Sequence, residues 1–239
     1  MARGGGTGLT EAIEDYLKAV YKLGGGGGAA VSRIARSLKV SAPSVTNMVQ
    51  KMRGLGLVAH APYGAVRLTP RGRKIALEII RHHRLWETYL TRRLGLPLHR
   101  VHEEAERLEH AMSPVLEERM LAAIGDAKTC PHGHPLVEGV REEGALLADV
   151  ESGATVHVLR FENEAEEILH YLKAAGLHPG LDGTLETSGP DEVVLSSEDG
   201  EHAVSRSVAE TVSVRASPSP APRPPLPEQL VLSSDRYGR

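Results

Sequence analysis

Cysteine is almost missing from this chain: Cys130 is the only one in 239 residues. No disulfide can form within it, which fits a reducing compartment. An apolar run of roughly 18 residues or more is also absent, which argues against a membrane-spanning helix. The opening M-A-R-G-G-G-T-G lacks the apolar core of a secretory signal. These absences predict a cytoplasmic protein that does not engage a membrane. Nor is there an H-E-x-x-H motif or a nucleophile motif. A metallohydrolase is therefore the weaker reading, and no small-molecule substrate is expected.

What is present is segregated charge. The net charge is only −3, and apolar residues make up 41%. Residues 1–73 carry 11 basic and 3 acidic side chains, whereas residues 151–239 carry 7 and 15. A basic N-terminal third points to a polyanion such as DNA.

The most informative stretch is Val101 to Ser113, V-H-E-E-A-E-R-L-E-H-A-M-S. Wound as an α-helix with His102 at zero, Glu106 falls near 40°, Glu109 near 340° and His110 near 80°. Val101, Ala105, Leu108 and Met112 form a neighbouring apolar arc. Two histidines and two carboxylates thus line the edge of a buried face. Carboxylates at this spacing repel one another, and a divalent cation relieves that. A half-exposed acidic helix is the alternative from this stretch alone.

Upstream, residues 9–23 predict a helix with Thr10 as N-cap and Ile13, Leu17 and Val20 inward. A glycine run, Gly24 to Gly28, stops it. Ser32 to Leu38 and a second helix capped at Ser41 or Ala42, with Pro43 in its first turn, enclose a tight turn. The second helix turns Val45, Met48, Val49 and Met52 inward. It leaves Ser44, Thr46, Asn47, Gln50, Lys51 and Arg53 for solvent or a partner. This is a helix-turn-helix pattern, with side chains suited to base edges and phosphates. Residues 57–60 and 66–68 predict a hairpin with its turn around Pro62 to Gly64, completing a winged helix.

Thr69-Pro70 starts a long helix to Leu94, ended by Gly95, with His83 and Glu87 at i and i+4. Ser113-Pro114 begins a shorter one ending near Gly125. Residues 127–144 read as a linker. Within it, Cys130, His132 and His134 invite a zinc reading but lack a fourth ligand, and the prolines favour a turn. Residues 145–215 predict a small SH3-like β-barrel, with strands around 154–160, 177–185, 192–195 and 211–215 and a helix over 164–172. Residues 216–239 form a proline-rich tail. The expected division is 1–73 for DNA binding, 74–126 for a helical metal-binding and dimerisation unit, then linker, barrel and tail. The fold class is mainly α with small β units.

A winged helix, then H-x-x-x-E and H-x-x-x-E-x-x-E-H on long helices, then an SH3-like unit, resembles the diphtheria toxin repressor family of metal-activated transcriptional repressors. The resemblance implies a primary metal site at Asp15, Glu106, Glu109 and His110. It implies an ancillary site at His83, Glu87 and His102, with Glu164 and Glu167 as the best matches for ligands from the SH3-like unit. Ser41, Pro43 and Asn47 fall on base-contacting positions. The partners implied are double-stranded DNA with a palindromic operator and a second copy of the chain. The oxygen-rich primary set suits Mn²⁺, with Fe²⁺ as the alternative. Asp15 and Glu106 stand where iron-type members carry Met and Cys. Lys18 stands where manganese regulators often carry Glu, which argues against a two-manganese cluster. The rival function is a metal-transport accessory or buffer, and Arg223 to Pro227 could dock on the chain's own SH3-like unit.

Overall fold

In the computed structural model, which describes residues 9–25, 27–61, 64–137 and 142–218, three apolar cores follow one another along the chain. The first helix, α1 (Glu11–Gly24), buries Ile13, Leu17 and Val20. Thr10 occupies its N-cap, but its side chain makes no capping bond; the acidic Glu11 and Glu14 complement the helix dipole instead. Helices α2 (Val31–Ser37) and α3 (Ala42–Gly54) are joined by a turn in which Lys39 adopts φ 54°. Ser41 is the α3 N-cap, accepting from the Ser44 amide at 3.3 Å. Strands β1 (Val58–Ala59) and β2 (Arg67–Leu68) pair antiparallel, Val58 opposite Leu68. The expected turn at Pro62 and Tyr63 lies outside the described residues. Ile34, Val49, Met52, Leu57 and Val66 close this core.

Helix α4 (Pro70–Leu94) is capped by Thr69 and ended by Gly95 at φ 69°. It leaves the winged helix at close quarters: a Cβ on Gly72 would lie 2.0 Å from the Leu57 carbonyl oxygen. Helices α5 (Leu98–Leu108) and α6 (Pro114–Ile124) pack on it, with Leu85, Met112, Met120 and Ile124 in the second core.

The single helix expected over Val101–Ser113 is interrupted. After Leu108 the chain tightens into a 3-10 turn, Glu109–Ala111, and Met112 is extended. The cause is Ser113-Pro114: a residue before proline disfavours the α conformation, and Ser113 instead caps α6. The tighter winding re-aims Glu109 and His110 away from the straight-helix directions.

The first part of the stretch expected to be a linker is packed into the fold. Cys130 and Leu136 lie in the second core. The Cys130 amide donates to the His134 carbonyl at 2.8 Å, and Phe161 donates to the His132 carbonyl at 3.0 Å. Gly133 makes the loop possible, at φ 88°, where a Cβ would meet the Leu159 carbonyl oxygen at 2.0 Å. The two prolines make this a rigid loop seated on the sheet, not a free connector.

The third core belongs to a six-stranded antiparallel sheet of β3 (Ala145–Leu146), β4 (Thr155–Phe161), β5 (Asp182–Ser188), β6 (Glu192–Ser197), β7 (Gly200–Ser205) and β8 (Val212–Ser217), ordered β3-β8-β4-β5-β6-β7. Helix α7 (Glu166–Ala174) and short α8 (Arg206–Ala209) cover it. Strand β7, unanticipated in sequence, buries only His202 and Val204. Glu164 precedes α7 rather than lying on it, and the strand expected from Leu177 starts only at Asp182. Leu98 of α5 packs on the third core. Of the tail, residues 219–239 lie outside the described residues, including Arg223 to Pro227. Among the described residues no helix is long and apolar enough to cross a membrane.

Candidate metal centres

Two groups of ligand-type side chains meet where α1, α4, α5 and the 3-10 turn converge. In the first, Asp15, Glu109 and His110 each bring a ligand atom within 4.8 Å of the others. His110 Nε2 lies 3.1 Å from Asp15 Oδ1 and 3.6 Å from Glu109 Oε1. Its Nδ1 faces buried Glu14 at 2.7 Å. That contact orients the ring and leaves Nε2 toward the other two groups. Glu14 was not anticipated; the only signal for it is adjacency to Asp15. Burial lowers the His110 pKa, but Asp15 and Glu14 overcome it and hold it up to about 10. Glu106 does not join this triad. Its carboxylate is half-exposed and lies 3.4 Å from Lys18 Nζ and 3.6 Å from His102 Nε2.

In the second group, His83, Glu87, His102 and Glu164 converge. His83 Nε2 is 2.9 Å from Glu87 Oε1 and 3.0 Å from His102 Nδ1, which in turn lies 3.6 Å from Glu164 Oε2. Burial again lowers the His83 pKa, and the carboxylates of Glu87 and Glu109 reverse it to about 9. Glu164 responds inversely: burial raises it, then Lys22 and neighbouring histidines bring it down to about 2. Glu167 is exposed on the first turn of α7 and is not brought into the group.

Two residues of the loop expected to form only a turn also lie here. Cys130 and His132 form an overlapping group with Glu87. His132 Nδ1 approaches Glu87 Oε1 to 3.0 Å, yet neither that nitrogen nor Glu87 Oε2 finds a hydrogen-bond partner among the described residues. Orphaned buried polar atoms are costly, and a cation would satisfy both, so the residues fit a metal ion. Glu87, brought from α4 by tertiary packing, is the third member of this group. Burial, with Glu87 and Glu164, pushes the Cys130 thiol well up, so thiolate formation needs a metal. His134 lies 3.4 Å from Glu164 Oε1.

On α3 and its N-cap, all seven expected DNA-facing residues are exposed: Ser41, Pro43, Ser44, Thr46, Asn47, Gln50 and Lys51. Ser41 and Ser44 bond each other at 2.7 Å, and Thr46 back-bonds to the Ala42 carbonyl at 3.0 Å. Asn47, Gln50 and Lys51 project without such local engagement.

Family models match nearly the whole described chain. Residues 8–66 match the iron-dependent repressor N-terminal DNA-binding domain, 69–138 its metal-binding and dimerisation domain, and 145–216 the FeoA domain. The iron-dependent repressor IdeR of Mycobacterium leprae is 32% identical over 205 residues, covering 78% of this chain and 89% of that protein. The chain belongs to the diphtheria toxin repressor family.

Other members of this repressor family align less completely. The diphtheria toxin repressor of Corynebacterium glutamicum is 39% identical over 142 residues, and the alignment spans 62% of that protein's length and 59% of this chain. The match is to about three-fifths of that relative, or 62%. The structural likeness runs further. The crystal structure of T. acidophilum IdeR superimposes with a TM-score of 0.70 at 31% identity, covering 87% of this chain and 99% of that one. A manganese-dependent transcriptional repressor in complex with manganese gives 0.77 at 28% identity, over 86% and 100%. The metal-binding and dimerisation match runs to residue 138, so it takes in the Cys130–Pro135 loop.

Proposed function

We propose that this chain is a divalent-metal-activated transcriptional repressor of metal-uptake genes, binding a palindromic operator as a cytoplasmic homodimer, with Mn²⁺ preferred over Fe²⁺. The observation that carries the reading is the division of one ligand group between two units. Asp15 stands on α1 of the winged-helix unit, whereas Glu109 and His110 stand on the 3-10 turn of the helical unit, with His110 Nε2 3.1 Å from Asp15 Oδ1. A divalent ion, when bound, supplies the positive charge that lets Asp15 and Glu109 share one position. Asp15 then ties α1 to the helical unit, and His110, oriented by Glu14, completes the tie. Fixing the winged helix lowers the ordering cost of placing two α3 helices on DNA. The oxygen-rich donors of this triad support Mn²⁺. His83, Glu87, His102, Glu164, Cys130 and His132 support a second, softer ancillary centre.

Fluorescence anisotropy of labelled DNA from the protein's own upstream region and from a metal-transporter promoter tests this. Protein is titrated with chelator, then Mn²⁺, then anaerobic Fe²⁺, at fixed salt. Tight binding only with metal is expected, with Mn²⁺ the better activator. Equal weak binding under all conditions, alongside calorimetric metal binding, would move the assignment to a metal buffer or transport accessory.

A further inference from the structure

The primary ligand group contains a cation of its own. Lys18 stands on α1 one turn after Glu14 and Asp15, and is only 8% exposed. Its Nζ lies 2.6 Å from Glu109 Oε1 and 3.4 Å from Glu106 Oε1. Glu109 Oε1 is also the oxygen 3.6 Å from His110 Nε2. The ammonium therefore sits on the carboxylate oxygen turned toward the other ligand atoms. It also holds Glu106, the one expected ligand outside the triad.

Glu109 is 1% exposed, and a carboxylate so buried is strongly unfavourable without counter-charge; His83 serves its Oε2 at 2.6 Å and Lys18 its Oε1. We propose that Lys18 is the built-in counter-ion of this centre. It limits the centre to one divalent ion and bridges α1 to Glu106 and Glu109. The inference rests on the metal-centre reading above. Formal charge supports it. Glu14, Asp15, Glu106 and Glu109 carry four negative charges and Lys18 one positive, so one divalent ion leaves the group at −1 and a second would leave it net positive. The bridge also sets a threshold. An incoming ion must share Glu109 with an ammonium that repels it, so Lys18 weakens metal binding while keeping α1 seated for it. Lys22, one turn further along α1, makes a similar contact with Glu164 at 3.2 Å, but its side chain is 43% exposed, and water screens such a pair.

Calorimetry and electron paramagnetic resonance with Mn²⁺ on the full chain distinguish the outcomes. Lys18→Met should bind Mn²⁺ at least about tenfold more tightly at unchanged stoichiometry. Lys18→Glu should take up one more ion per chain than wild type and show an exchange-coupled manganese signal. Lys18→Arg, which keeps the charge, should retain wild-type stoichiometry and guards against a mere packing effect. In metal-free protein, amide exchange across the 3-10 turn should be faster in Lys18→Met than in wild type. Unchanged or weaker Mn²⁺ binding by Lys18→Met would overturn the counter-ion role, as would a coupled two-ion signal in wild type, while leaving the metal-centre reading standing. Absence of Mn²⁺ binding in wild type would overturn that reading itself.

Discussion

His83 and Glu109 join the two candidate centres: His83 Nδ1 donates to Glu109 Oε2 at 2.6 Å, while His83 Nε2 faces Glu87 and His102. One imidazole thus spans a ligand of the primary group and two of the ancillary group. Filling one centre should alter the other. His83→Gln is expected to weaken Mn²⁺ binding at the primary group about 10–100-fold, the usual cost of losing a residue that orients a ligand. Competition against a fluorescent chelator reads this, and an unaltered primary affinity would show that the centres are independent.

Asp15→Ala should abolish metal-stimulated DNA binding and leave the circular dichroism spectrum unchanged, because Asp15 is partly exposed and its loss opens no core. Glu106→Ala should have the same direction, but a smaller effect, since Glu106 faces Lys18 and His102 rather than the triad. Full metal activation in Asp15→Ala would remove the primary-site assignment.

On α3 the prediction separates specificity from sensing. Asn47→Ala should cost about 1–3 kcal/mol of specific DNA binding with Mn²⁺ affinity nearly unchanged. Anisotropy on specific and scrambled DNA, paired with calorimetry, checks both halves. Equal loss on the two DNAs would make Asn47 a phosphate contact.

Proton competition gives a pH dependence of definite sign. His110 and His83 are held up to about 10 and about 9 in the metal-free protein, so both are cationic at pH 7. Metal must displace a proton from each imidazole it engages. Apparent affinity should rise about tenfold per pH unit for each such histidine over the range below pH 9. Without metal, these raised values stabilise the fold fully below an unfolded value of about 6.5, and that stabilisation is lost as pH climbs through 9 and 10. Urea midpoints in chelator should therefore fall between pH 6 and pH 10. A flat profile would mean the two rings are neutral.

Gly133→Ala should destabilise the chain by about 3 kcal/mol or more, combining left-handed strain with a clash against the Leu159 carbonyl. Because the same loop carries Cys130 and His132, ancillary metal affinity should fall with it. Cys130→Ser should lower that affinity while keeping the melting temperature near wild type. Wild-type metal binding in both variants would exclude the loop from the centre.

Much of the architecture was legible because its signals are local. Thr69-Pro70 and Gly95 bound α4 by capping chemistry, and the apolar spacing of Val45, Val49 and Met52 marks the inner face of α3. The pairing of His83 with Glu87 is also local, at one helical turn. What escaped depends on distant partners. Cys130 and His132 lacked a further partner in sequence because Glu87 lies more than 40 residues earlier on another helix. Glu14 looks like an ordinary first-turn carboxylate until His110 folds onto it. The 3-10 turn at Glu109 was available in Ser113-Pro114, but a strong helical periodicity masked it. Strand β7 was too polar to stand out, with only His202 and Val204 turned inward.

Glu164 is met by Lys22 of α1, His102 of α5 and His134 of the Cys130 loop. During synthesis the chain emerges from its N-terminus, and units fold in that order. The winged helix and the helical unit are complete by residue 137, some time before residue 164 and the sheet behind it are available. For that interval the nascent chain can hold a DNA-reading surface without a finished ancillary centre. The ancillary group is thus the last of the ligand clusters to be completed.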